Sequence, residues 1–222
     1  MTYLDYFKSW SSLFDLAELT KIILKLNNLY KIKDITPSYQ DVFKAFTLCD
    51  KKLCKVIFIG QDPYPQKGVA TGLLFANKGE IKNLSPSLQV IKESCINYTV
   101  PHNFITFDQT LESWATQGVL LLNSALTCEV NKIGSHLSLW LPFISSFLER
   151  YSTIDYGNVY VLFGERAKNL EPFIDKRNLI LKEKHPAYYA RTGTRMPSKI
   201  FTTINTYLKD HYNERIRWFN EE

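Results

Sequence analysis

Four short apolar runs constrain this chain more than any other feature: Val56-Ile-Phe-Ile59, Val119-Leu-Leu-Leu122, Val159-Tyr-Val-Leu-Phe163 and Leu179-Ile-Leu181. Each is too short for a helix and none alternates with polar residues, which is the pattern of a strand covered on both faces in a parallel sheet. Helical spacing fills the intervals. Ser12-Leu-Phe-Asp15 resembles a capping box ahead of Leu16, Leu19, Ile23 and Leu26. After Thr36-Pro-Ser38 a short helix is predicted to carry Val42, Phe43 and Phe46. Ser85 as N-cap and Pro86 at the first helical position predict a helix to about Tyr98. A shorter helix follows Asp108, another spans roughly Ser138 to Tyr151 despite Pro142, and one follows Gly164. A last one carries Ile200, Ile204, Tyr207 and Leu208. Strands alternating with helices predict an α/β fold, a central four-stranded parallel twisted sheet flanked by helices on both faces. With no repeat or low-complexity linker, residues 1–222 are expected to form a single domain.

Composition bears on partners more than on fold. No apolar run approaches the ~20 residues needed to cross a bilayer, and the N-terminal residues show no secretory pattern, so a cytoplasmic chain without a membrane partner is expected. The four cysteines (Cys49, Cys54, Cys95, Cys128) lack the spacing of a zinc or iron–sulfur site, so buried reduced thiols and no metal are expected. A net charge of +5 suits a polyanionic partner without demonstrating one.

The chemistry-bearing residues fall at strand ends. Val56–Ile59 runs into Gly60-Gln61-Asp62-Pro63-Tyr64-Pro65, where glycine and two prolines stop the strand and leave one carboxylate at its carboxyl end. Taken alone, Asp62 reads as a turn cap. Asn123 closes the second run, however, and His185 lies just beyond the fourth. Parallel sheets gather their ligand-binding loops at this edge, and three such side chains there point to an active site.

The same segments resemble the uracil-DNA glycosylase family. Gly60-Gln-Asp-Pro-Tyr64 is similar to its water-activating motif, Leu120-Leu-Leu-Asn123 to its uracil-reading strand and Gly72-Leu-Leu-Phe75 to its base-stacking segment. Ser85-Pro86-Ser87 resembles its proline-rich loop and His185-Pro186 the start of its minor-groove loop. Further matches are Asp41-Val-Phe-Lys-Ala-Phe46, Ser135-His-Leu-Ser-Leu139 and Trp218, so the likeness spans nearly the whole chain in order. It implies hydrolysis of the bond between uracil and deoxyribose in DNA, on a nucleotide flipped out of the stack, with no cofactor. Asp62 is then the anion that steadies the sugar cation and orients water, and His185 a neutral donor to uracil O2. The Gln61 N–H is a second donor, Asn123 reads the base edge, Tyr64 excludes the thymine methyl group and Phe75 stacks on the ring. DNA contacts are expected from Ser85, Pro86, Ser87, Gly164, Ala187, Tyr188, Tyr189 and Arg191.

Four positions depart from the family pattern. Pro65 stands where most members carry histidine, and Glu165 follows Gly164 where a phosphate-binding serine is usual. Ala187 lacks a hydroxyl, and Tyr189 takes the place of the leucine that wedges into DNA. Arg191, Arg195 and Lys199 lie where they could offset the lost phosphate contacts.

Three functions follow in descending order: a uracil-DNA glycosylase of base-excision repair, a DNA-binding replication accessory protein on the same fold, and a relative acting on mismatched or damaged bases. The corresponding partners are uracil-containing DNA, single- or double-stranded, a proteinaceous glycosylase inhibitor, and for the second reading a replication-complex component. Family members are usually monomers, and a monomer is expected here.

Overall fold

The structure, a computed structural model, describes residues 6–79, 83–96 and 105–221. Its centre is one parallel sheet of four strands, β1 (Val56–Gly60), β2 (Val119–Asn123), β3 (Val159–Phe163) and β4 (Leu179–Glu183), in the spatial order β2-β1-β3-β4. Every residue of β1, β2 and β3 is buried. Successive side chains point to opposite faces, so complete burial means that both faces are covered. Strand β4 is the edge and is only half-buried along most of its length.

The helices are α1 (Leu16–Ile32), α2 (Lys44–Leu48), α3 (Pro86–Cys95), α4 (Glu112–Thr116), α5 (Leu137–Ile154), α6 (Gly164–Lys168), α7 (Pro186–Thr192) and α8 (Lys199–Tyr212). The N-cap of α1 is Asp15 rather than Ser12: its Oδ1 accepts the N–H groups of Ala17 and Glu18 at 3.0 and 3.1 Å. Ser12 is instead taken up by a 3-10 turn, Lys8–Leu13, which brings Trp10 and Leu13 into the core. The buried stripe of α1 is accordingly Leu19, Ile22 and Leu26, while Leu16 stays 45% exposed. Helix α3 ends at Cys95, and the predicted continuation to Tyr98 falls outside the described residues.

Aromatic side chains hold the layers together in two groups. Phe58 of β1 meets Phe163, Trp114, Phe201 and Trp218, the last stacked at 6.0 Å. Trp10, Phe14, Phe46, Phe143 and Phe147 form the other, mostly edge to face, the geometry favoured by ring quadrupoles. All four cysteines are buried free thiols. Among the described residues, no helix is long and apolar enough to cross a membrane.

Two further ties matter for the site. Ile35–Thr36 pairs antiparallel with Cys128–Glu129, which fixes the loop after β2. The neighbouring register aligns Gly60 with Asn123, so β1 and β2 end side by side.

Candidate active site

At the carboxyl edge of β1 and β2 the sequence leaves no room for a side chain. A Cβ on Gly60 would lie 2.2 Å from Leu74 Cδ1 and 3.1 Å from Asn123 Oδ1, so glycine is what lets the Asn123 carboxamide occupy the strand end. Loop to loop, the edge is stitched by backbone bonds. The Ser124 N–H and hydroxyl both donate to the Gly60 carbonyl, and the Ala125 N–H donates to that of Gln61. On the far side the Asn131 N–H donates to the Pro65 carbonyl, and the Thr36 hydroxyl to that of Tyr64. Gln61–Pro65 is therefore held by three separate segments.

This loop floors a cleft of about 440 Å³, within the range of small-ligand sites. Gln61, Asp62, Tyr64, Phe75, Asn123 and His185 all line it, joined at the rim by Ser87, Ala187, Tyr188 and Arg191. Of the residues singled out from sequence, the catalytic pair and the whole base-reading set thus meet in one place.

Asp62 accepts from Gln61 Nε2 at 2.6 Å and from the Gly134 N–H at 3.2 Å. Burial nevertheless raises its pKa above the usual carboxylate value, and the two hydrogen bonds with the Arg166 and His136 charges only partly offset this. His185 sits at the N-cap of α7, where Nδ1 accepts the Ala187 N–H at 3.2 Å. A neutral ring that accepts at Nδ1 carries its proton on Nε2, which makes Nε2 the donor. Burial lowers the imidazole pKa and so favours this neutral form.

Asn123 is 6% exposed, and its Oδ1 is buried without a hydrogen-bond partner. An unpaired buried carbonyl costs roughly 1–3 kcal/mol, and here it borders the cleft. Tyr64 donates its phenol to the Phe75 carbonyl at 2.9 Å and meets the Ser85 hydroxyl at 2.5 Å. Burial pushes its pKa up to about 12, so the ring is a neutral, anchored wall. Phe75 has φ +63°, a left-handed conformation uncommon for an aromatic residue. Its ring packs edge-on against Phe163 and His185, with centroids 5.2 and 5.4 Å away.

Several expected DNA contacts sit differently. Ser85 does not line the cleft: its hydroxyl is spent on Tyr64 and its N–H on Asn77 Oδ1. Pro86 is exposed at the start of α3 and Ser87 is 5% exposed on the cleft wall. Gly164, at φ +83°, abuts the histidine instead, since a Cβ there would stand 3.1 Å from His185 Cβ. Glu165 points to solvent and pairs with Lys168 at 2.8 Å. Arg195 and Lys199 are exposed but do not line the cleft.

Tyr189 requires the clearest correction. It is 8% exposed and its phenol bonds to Glu183, so in this arrangement it cannot act as a wedge. The reason is helical geometry: adjacent residues on α7 point about 100° apart, so when one tyrosine turns to the core the other turns to the cleft. Tyr188 is the one at the cleft, under the Lys184 ammonium at 4.1 Å.

Sequence reasoning missed Gly134, whose N–H reaches Asp62, and Ile133, 63% exposed on the cleft rim. The only signal was their position just before Ser135–Leu139, a segment matched to the family without an assigned role.

Comparison with known proteins places this geometry. Residues 46–209 match the family model of the uracil DNA glycosylase superfamily. A Campylobacter jejuni protein named uracil-DNA glycosylase is 41% identical over 189 residues, covering 83% of this chain and 79% of that one. A Mycoplasmopsis pulmonis protein of the same name is 34% identical over 217 residues, covering 94% of this chain and 96% of its own. The crystal structure of mimivirus uracil-DNA glycosylase shares the fold, with a TM-score of 0.74 over 97% of this chain and 91% of that one, at 22% identity. A structure of a mimivirus variant in complex with UGI aligns with a TM-score of 0.79 over 97% of this chain and 87% of that one, at 23% identity.

Proposed function

The chain belongs to the uracil DNA glycosylase superfamily, and from that premise we propose that it flips uracil out of DNA and hydrolyses its N-glycosidic bond, releasing the base and leaving an abasic site. The observation that carries the reading is the unpartnered Asn123 Oδ1 at the strand edge shared with Asp62 and His185. Uracil supplies the missing donor at N3–H and an acceptor at O4 for the Asn123 amide. Cytosine reverses both and would leave the carboxamide unpaired, a mismatch that hydrogen-bonding sites reject by about 10⁴-fold.

Breaking the bond builds positive charge on the sugar and negative charge on the base. The ionised Asp62 carboxylate stabilises the first and orients the attacking water, with Gln61 and Gly134 holding it in place. His185 Nε2–H and the Gln61 backbone N–H take the second at uracil O2. A neutral imidazole suits this task because it donates without first surrendering its proton. Phe75 offers its face to the extruded ring, and the doubly anchored Tyr64 leaves no space for a 5-methyl group. Tyr188, Ala187 and Arg191 form the lip that DNA meets, with Tyr188 rather than Tyr189 as the aromatic residue able to enter the stack. A proteinaceous inhibitor is a further partner that this reading admits, since a mimivirus structure of the same fold is a complex with UGI.

The test is release of free uracil from a uracil-containing oligonucleotide, against matched thymine and cytosine controls. Release confined to uracil is expected, and an intact oligonucleotide at high protein excess would exclude this function.

A further inference from the structure

We propose that Glu183 and Tyr189 form a clamp that positions His185 and Tyr188 at the cleft. The inference rests on the uracil-excision reading for its kinetic consequences but on hydrogen bonds and burial for its geometry. Glu183 is the last residue of β4, held in register with Phe163, and Tyr189 lies on α7. Between them run Lys184, His185, Pro186, Ala187 and Tyr188. The Tyr189 phenol donates to Glu183 Oε1 at 2.5 Å, and the same oxygen accepts the Lys184 N–H at 2.7 Å. The strand end and the helix are thereby closed into a small ring of chain with His185 inside it.

Three contacts make the ring directional. The Tyr188 N–H donates to the His185 carbonyl at 2.8 Å, and the Ala187 N–H donates to His185 Nδ1 at 3.2 Å. Gly164 lies beside the histidine, where an added Cβ would stand 3.1 Å from His185 Cβ, so little free space is left on that side. With Tyr189 drawn inward, α7 cannot turn about its axis, so Tyr188 faces the cleft and Nε2 keeps its aim. Without the phenol, α7 loses its tie to the end of β4, and the imidazole is left with the Ala187 N–H and its edge contact with Phe75. A carboxylate two residues from the electrophile also loses its charge-neutral donor. Tyr189 and Glu183 are therefore positioning residues: neither lines the cleft, and both act through His185 and Tyr188.

Single-turnover uracil release by wild type, Tyr189→Phe, Glu183→Ala, Glu183→Gln and the double variant Tyr189→Phe/Glu183→Ala tests the clamp, with thermal unfolding measured alongside. Tyr189→Phe and Glu183→Ala are each expected to slow the maximal rate by about 10-fold or more, as misplaced catalytic groups do, and to raise half-saturation because Tyr188 loses its aim as well. Glu183→Gln keeps an oxygen for the phenol and should stay close to wild type. The double variant should be no slower than the slower single one. Wild-type rates in Tyr189→Phe, or losses that multiply in the double variant, would overturn the clamp. The ¹⁵N NMR signals of the His185 ring read the same contact without catalysis and should shift in Tyr189→Phe. If wild type left the oligonucleotide intact, the uracil reading would fall; an unchanged His185 signal in Tyr189→Phe would sink the clamp on its own.

Discussion

Asp62 is placed where its useful form is the one its surroundings disfavour. Burial raises its pKa, so the fold prefers the protonated acid. The stability this gives is fully present below about pH 4 and is lost as pH rises through the raised value. Asp62→Asn removes that cost. Its melting temperature should exceed wild type at pH 7, with the gap closing below about pH 4, while uracil release falls about 10³-fold. A melting temperature below wild type at pH 7 would show that the carboxylate is instead structural. His185 runs the other way: its lowered pKa favours neutral imidazole, and the associated stability is present above about pH 6.5 and lost as pH falls through the lowered value. The competent pair, ionised Asp62 with neutral His185, is therefore complete on the alkaline side of both groups. A pH profile of single-turnover rate should be flat there and fall only on the acid side; a maximum at pH 5 would contradict a neutral His185. Asn123→Leu completes the residue-scale set. It deletes an unpaired buried carbonyl and should leave stability unchanged or raised, yet cost uracil release about 10²-fold or more.

At the scale of elements, the site depends on how strands hand over to loops. Gly164 shows this best, since it opens α6 at φ +83° and stands against His185. Gly164→Ala adds both a left-handed strain of roughly 1 kcal/mol or more and a contact that pushes the imidazole. It should therefore lower the melting temperature and the rate together, measurable by calorimetry and uracil release. Tyr188→Ala acts only at the lip: it should weaken oligonucleotide binding by about 1–3 kcal/mol and leave the maximal rate nearly intact. The strands that carry these loops were legible in the sequence because burial on both faces leaves an unbroken apolar run, as in Val159–Phe163. The orientation of α7 was not. Seven residues are barely two turns, too few for periodicity to choose between Tyr188 and Tyr189, and the deciding partner, Glu183, belongs to the preceding strand. The cap of α1 was misplaced for a similar reason, because both Ser12 and Asp15 are good caps and only the packing of Trp10 and Leu13 selects the second. Asp62, Asn123 and His185 were legible together because a parallel sheet delivers its strand ends to one edge; Gly134 was not, since a backbone N–H carries no mark in the sequence.

For the molecule as a whole, what remains is how DNA is held over a cleft whose chemistry is contained within one chain. The net charge of +5 is modest, and two hydroxyls expected to meet phosphate are missing at Ala187 and Glu165. Glu165 is exposed and pairs with Lys168 at 2.8 Å, which tempers its repulsion of phosphate. Cations at the lip include Arg191, which lines the cleft, and Lys184, which lies over Tyr188. Each phosphate neutralised contributes about −0.9 to the slope of log affinity against log salt on duplex DNA. With Arg191 and Lys184 as the anchors, the slope should be shallow, about −2. Arg191→Ala should reduce its magnitude by about one and weaken all sequences alike. Fluorescence anisotropy with a non-cleavable duplex across a salt series measures both. A slope several times steeper, unaffected by Arg191→Ala, would mean that DNA is gripped by a basic surface away from the lip. An affinity set by so few charges makes the aromatic entry of Tyr188 a larger share of the total, and with it the clamp that turns Tyr188 toward the cleft.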